Sequence, residues 1–204
     1  MRFALLFIIS FAYGCSSGSD LFFPFHPGNS WHYGVAQNIS CPDQQPWCST
    51  LSSFGGDVTV TVTNLDPSGD VATLSAAYAF TDRSFTRTVM VRRTAPSRLE
   101  VSHDMGATWQ WLFDPAGNPT GDVGTILGGD TIQKPTTLMI TPGPQSTPAG
   151  SFPDAVLLWG WNNSISLKAG WDPKIGLIGD FDAFTSIFGY VDVFVLRDYH
   201  LQTP

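Results

Sequence analysis

Residues 57–63, Asp-Val-Thr-Val-Thr-Val-Thr, put Val58, Val60 and Val62 on one side of an extended chain and threonines on the other. That two-residue period predicts a half-buried β-strand. The run Asp66, Pro67, Ser68, Gly69, Asp70 has turn composition, and a second arm at 71–80 places Ala72, Leu74, Ala76, Tyr78 and Phe80 on a common face. The two arms read as a β-hairpin. Upstream, Trp31, Tyr33 and Val35 alternate with small or polar partners, which predicts a first strand ending before Cys41. Further strands are predicted at 84–93, 98–103 and 107–113, continuing as a meander, and then at 136–141, 154–161, 174–179 and 188–199. Residues 114–135 are rich in Gly, Pro and Asp and lack a clear period. They read as a long excursion with a brief helix near 123–127.

Composition supports this pattern. Of seventeen acidic residues Glu100 is the only Glu, and Lys occurs only at 134, 168 and 174, so the usual surface residues of helices are scarce. The expected fold class is mainly β: one domain with a curved antiparallel sheet, half-barrel, barrel or sandwich-like, of about ten strands and little helix. A flat sheet of that width would leave a face and two edges exposed. The formal charge of −7 disfavours contact with phosphate backbones, so no nucleic-acid partner is expected.

The N-terminus divides into Met1 and Arg2, an apolar run at 3–11, and the small-residue site Ala12, Tyr13, Gly14 before Cys15. This reads as a signal peptide over residues 1–14. The apolar run is too short to cross a bilayer as a helix. Cys15 in that position resembles the lipobox of bacterial lipoproteins. The resemblance implies leader removal and lipid attachment at Cys15, palmitate included, and Ser16 after the cysteine implies sorting to the outer membrane in a cell that has one. The alternative is ordinary cleavage after Gly14 and a periplasmic or secreted product. Residues 15–20 would form the attachment site and a flexible tether, and 21–204 the β domain. In an oxidising compartment Cys41 and Cys48 are expected to pair as a local disulfide.

Three further patches resemble a loosely defined group of bacterial exported proteins and lipoproteins of unknown function. One is Phe23-Pro24-Phe25-His26-Pro27-Gly28-Asn29-Ser30-Trp31-His32-Tyr33, another Pro148-Ala149-Gly150-Ser151-Phe152, and the third Trp171 followed by Gly176-Leu177-Ile178. The resemblance implies a curved antiparallel sheet, like that of lipid-binding half-barrels of the envelope, and leaves the function open. Separately, Ser102, Asp104, Gly106, Thr108 and Trp109 fit S-x-D-x-G-x-T-W and resemble the Asp-box of sialidases. In that motif Asp104 accepts hydrogen bonds from turn amides, Gly106 takes a positive φ and Trp109 packs under the hairpin, all structural roles. The box occurs once, in a chain too short for a sialidase propeller.

No Gly-x-Ser-x-Gly elbow is present, and His26, His32, His103 and His200 stand singly. A glycosidase pair of Glu100 and Asp104 fails because the turn needs Asp104 and Glu100 alternates away from Leu99 and Val101. The oxygens of Asp114, Asn118 and Asp122 lack calcium-loop spacing. No catalytic residue, cofactor or metal is expected. The candidate ligand surfaces are the pairs Trp109 with Trp111 and Trp159 with Trp161, each of which either fills the core or offers a platform to sugar rings or lipid tails. Arg87 lies between apolar neighbours on its face; it either snorkels, pairs with an Asp, or lines a cavity and holds an anionic head group.

The expected function is that of a non-catalytic envelope lipoprotein, attached to the membrane through its N-terminal lipid, that binds an apolar or amphipathic ligand on its curved sheet. A surface module binding glycans or an envelope protein through its Trp pairs is the alternative, with an enzyme third.

Overall fold

A computed structural model describes residues 23–40, 54–81, 83–95, 97–117, 122–127, 137–161, 165–184 and 189–202. Thirteen strands, and no helix, occur among them. The strands are β1 Ser30–Ser40, β2 Phe54–Leu65, β3 Val71–Phe80, β4 Ser84–Ala95, β5 Arg98–Ser102, β6 Gln110–Phe113, β7 Thr137–Pro142, β8 Gln145–Thr147, β9 Gly150–Phe152, β10 Val156–Trp161, β11 Ile165–Asp172, β12 Gly176–Phe184 and β13 Gly189–His200.

Eleven strands make one antiparallel sheet in the order β6-β5-β4-β3-β2-β1-β13-β12-β11-β10-β7, while β8 and β9 pair separately. Two meanders therefore run outward from a central β1–β13 pair, which extends from Ser30↔His200 to Ser40↔Gly189 with a bulge between His32 and Tyr33. The sheet is single and open, with β6 and β7 as its terminal strands. Because every neighbour is antiparallel, strand ends gather at two poles. The near end holds Ser30, Leu65, Val71, Phe113, Asp172, Gly176 and His200; the far end holds Ser40, Phe54, Phe80, Ser84, Phe184 and Gly189.

The alternating apolar positions supply one buried face: Trp31, Tyr33 and Val35 from β1, Val58, Val60 and Val62 from β2, Ala72, Leu74, Ala76 and Tyr78 from β3, Val89 and Val91 from β4. This face is covered by bending the sheet onto itself. Phe113 of β6 stacks on Trp171 of β11, from the opposite arm of the sheet, with ring centroids 4.9 Å apart. Burying such faces is the main stabilising term available to an all-β chain.

The near end is tied by a buried asparagine. Asn29 donates through Nδ2 to the Pro24 carbonyl (3.0 Å) and accepts the Gln202 amide at Oδ1 (2.7 Å). Its backbone carbonyl accepts the Val62 amide at 2.9 Å. Three separate stretches of chain thus meet on one residue. The preceding Gly28 sits at φ +92°, a left-handed conformation that glycine adopts without penalty. Phe23 packs against Trp31 (4.7 Å) and Trp171 (6.5 Å), and the Trp31 indole N–H donates to the Ile175 carbonyl at 2.7 Å.

Several expectations are corrected. The segment expected to form a brief helix at 123–127 is extended: Val123 makes a parallel bridge to Trp111, and the Gly124 amide donates to the Trp111 carbonyl at 2.8 Å. All five of its residues are buried, so its apolar run reflects packing on every side, where periodicity cannot separate strand from helix. The strand expected at 174–179 is displaced, because Asp172 Oδ1 accepts the amides of Lys174 and Ile175 (2.8 and 3.0 Å) and holds a turn there. Strand β12 starts at Gly176, after this turn, and β11 before it was not anticipated; neither was the short β8–β9 hairpin. The strand expected from 107 begins at Gln110, since the Asp-box turn occupies the residues before it.

Candidate functional site

Residues 1–22 lie outside the described residues, and so does the Cys15 attachment site. Cys41 and Cys48 lie outside them as well. The remaining candidates occupy four places on the sheet.

The Asp-box forms the β5–β6 turn. Ser102 Oγ accepts the Gly106 amide (2.8 Å) and donates to Asp104 Oδ1 (2.8 Å). Asp104 Oδ1 accepts the Thr108 amide at 2.8 Å and Oδ2 the Thr108 hydroxyl at 2.6 Å. Met105 and Gly106 both have positive φ, 58° and 89°. The Thr108 hydroxyl and amide, followed by the Ser102 hydroxyl, stabilise the carboxylate and hold Asp104 at a pKa of about 2. This carboxylate organises the turn. His103, beside it, has its ring Nε2 2.8 Å from the Thr125 carbonyl, linking the turn to the 122–127 segment, and burial pushes its pKa down.

Trp109 is half-buried, with the Arg92 guanidinium 4.2 Å from its ring centroid. Arg92 also holds Glu100, through Nε at 2.8 Å, and Arg98 holds the other carboxylate oxygen at 2.8 Å. Glu100, directed away from Leu99 and Val101, is therefore a structural ion-pair centre. Trp111 is only 2 % exposed and belongs to the core. Trp109 and Trp111 consequently do not form an exposed platform. Trp159 differs: it is 42 % exposed and lies directly across from Met139 of β7, 45 % exposed. Trp161 follows two positions later on β10; its side chain lies outside the described residues.

Arg87 stands opposite Ala76, and Phe85 opposite Tyr78, in the β3–β4 register. Ala76 and Tyr78 are buried on the concave face, so Arg87 and Phe85 share that face at the far end. The Arg87 guanidinium lies 5.1 Å from the Phe85 ring centroid and 5.6 Å from that of Tyr78. The alternation that puts Arg87 on this face puts Arg83 there too, although the sequence reading names only Arg87 as a ligand contact; the Arg83 guanidinium lies over Phe80 (5.4 Å) and Phe85 (5.9 Å). The signal was available in the aromatic residues flanking the β3–β4 turn.

One further group was missed, since its members are distant in sequence. On the exposed face His32 Nδ1 lies 2.9 Å from Asp198 Oδ2 and Nε2 lies 3.3 Å from Asp57 Oδ1, while Arg197 is 2.9 Å from the same Asp57 oxygen. This network crosses β2, β1 and β13 and joins the two meanders. Among the described residues no cluster of three or more His, Cys, Asp or Glu side chains is placed to hold a metal ion.

The seam between the two arms is closely packed around Trp171. A cavity between Leu112, Ile126, Leu158, Trp171 and Leu177 measures about 10 Å³, the space of roughly one water. Small-molecule sites are ordinarily hundreds of Å³ in volume.

No known protein family and no curated protein matches the chain. Two solved structures do. One is a protein from Bacteroides fragilis described as exported and as having a YmcC-like fold: 14 % identity, 89 % of this chain and 100 % of that one covered, TM-score 0.50. The other, from Parabacteroides distasonis, is described as a lipoprotein: 11 % identity, 89 % and 99 % covered, TM-score 0.54. At these identities the likeness is one of fold alone.

Proposed function

We propose that this chain is an exported, lipid-anchored, non-catalytic protein of the cell envelope that presents a bent β-sheet for binding. The observation that carries the reading is the burial of Phe23 at the near end, with its carbonyl accepting a bond from Arg93 at 3.2 Å. Seven residues separate it from Cys15, a span of roughly 28 Å at full extension. A lipid on Cys15 would hold the near end close to the membrane and turn the far end, with its exposed arginines, away from it. The similar structures, one described as exported and one as a lipoprotein, support the same reading.

Metabolic labelling with a palmitate analogue, followed by membrane fractionation, tests it. Wild-type protein should carry label and sediment with membranes, and Cys15→Ala should lose both. Label retained on Cys15→Ala would refute the anchor. A second reading, docking of a glycan or partner protein on the outer face, is favoured by the facing pair Trp159 and Met139.

A further inference from the structure

Three aromatic rings gather at the far end of the β3–β4 hairpin. Tyr78 and Phe85 stack with centroids 4.6 Å apart and planes 13° apart, and Phe80 lies 6.0 Å from Tyr78 and 5.9 Å from Phe85. Arg83 and Arg87, both exposed, place their guanidiniums over these rings. The chain is acidic overall, and this corner brings two guanidiniums together. Stacking on a ring uses the guanidinium's face, while its N–H donors lie in its plane and suit the oxygens of phosphate or carboxylate. Beside the arginines, half-buried Phe80 and Phe85 lead toward the apolar concave face, whose next residues are Ala76 and Tyr78. The corner thus joins an oxyanion-binding element to an apolar one.

We infer that Arg83, Arg87, Tyr78, Phe80 and Phe85 form a binding site for an anionic amphiphile, its oxyanion head on the two guanidiniums and its apolar body along the aromatic rings. This rests on the reading of the sheet as a binding surface and adds the class of ligand.

The test is calorimetric titration of the full-length lipidated protein, held in phosphatidylcholine nanodiscs, with hexyl phosphate, hexanol and inorganic phosphate, each corrected against empty nanodiscs. Saturable binding of hexyl phosphate is expected, with hexanol and inorganic phosphate at least tenfold weaker. Arg83→Gln with Arg87→Gln should weaken hexyl phosphate at least tenfold with an unchanged melting temperature. Should that variant melt lower, Arg87→Lys, which keeps the charge but not the planar fork, is expected to bind at least threefold more weakly. Absence of saturable binding, wild-type affinity in these variants, or inorganic phosphate binding as well as hexyl phosphate would each overturn the site. Because labelling at Cys15 is read separately, an anchored protein that ignores hexyl phosphate refutes this inference alone.

Discussion

Phe113 and Trp171 stack at 4.9 Å with their planes 23° apart, although their strands belong to opposite arms of the sheet. Among the described residues no backbone ladder joins those arms directly, and side-chain packing across the seam holds the bend. Both residues are fully buried, and truncating either leaves a large void in the seam. Phe113→Ala or Trp171→Ala should each cost about 3–5 kcal/mol of unfolding free energy in urea titrations. A double-mutant cycle should return a coupling of about 0.5–1.5 kcal/mol beyond area burial. Coupling near zero would mean that the seam does not depend on this pair.

Gly124 marks where the 122–127 segment crosses the concave face. A Cβ there would lie 2.5 Å from both Val101 Cγ1 and Gln110 Oε1. Val101 is a fully buried core residue and cannot swing into solvent. Gly124→Ala should therefore destabilise the chain by about 1–3 kcal/mol through overpacking, measured by thermal or urea unfolding. Gly69→Ala is a useful contrast: no atom lies near its added Cβ, so its cost should come only from the positive φ.

How far the fold was legible follows from the same contacts. The hairpin of β2 and β3 was readable because Val58, Val60, Val62 and their partners face a core on one side and water on the other, the condition under which a two-residue period appears. Strand β11 carries that period too, but Gly170 and the bulge at Trp171 interrupt it. A Cβ at Gly170 would come within 3.2 Å of the buried Ile178, which would have to give by a few tenths of an ångström. Residues 123–127, all buried, offered no period to read. At the candidate site, Arg87 was placed by alternation along its own strand. The His32, Asp57, Asp198 and Arg197 network depends on register between strands far apart in sequence, which alternation does not encode.

The Asp-box turn gives a pH signature. The carboxyl of Asp104 is depressed from 3.8 to about 2 by the Thr108 and Ser102 bonds. A lowered folded-state pKa contributes stability that is present above pH 4 and lost as pH falls toward 2. Relative to wild type, Asp104→Asn should be less stable at pH 6 and nearly equal to it at pH 2. A constant difference across that range would show that the carboxylate charge is not what holds the turn.

His103 acts in the opposite region of pH. Burial is the largest influence on its pKa and carries it below 6.5; the Thr125 carbonyl raises it by less, and the charges of Arg87 (downward) and Asp104 (upward) contribute less still. Protonation then favours the unfolded chain, so its contribution to stability should decline as pH falls below 6.5. Proton NMR of the ring should give a midpoint below 6.5, and His103→Gln should flatten the stability profile between pH 6.5 and 5. A midpoint at or above 6.5 would contradict the burial.

Tryptophan exposure separates the surface reading from the core reading. Trp31, Trp111 and Trp171 are sealed, whereas Trp159 stands open beside Met139. Acrylamide should therefore quench a subset of the emission, and Trp159→Phe should reduce that accessible fraction while leaving stability within about 0.5 kcal/mol, as for an ordinary surface change. If Trp159 supports glycan or protein docking, the same substitution should abolish that binding, whereas hexyl phosphate affinity, which depends on the Arg83 and Arg87 corner, should stay as it was. Loss of both activities on one substitution would mean that the two surfaces are not independent.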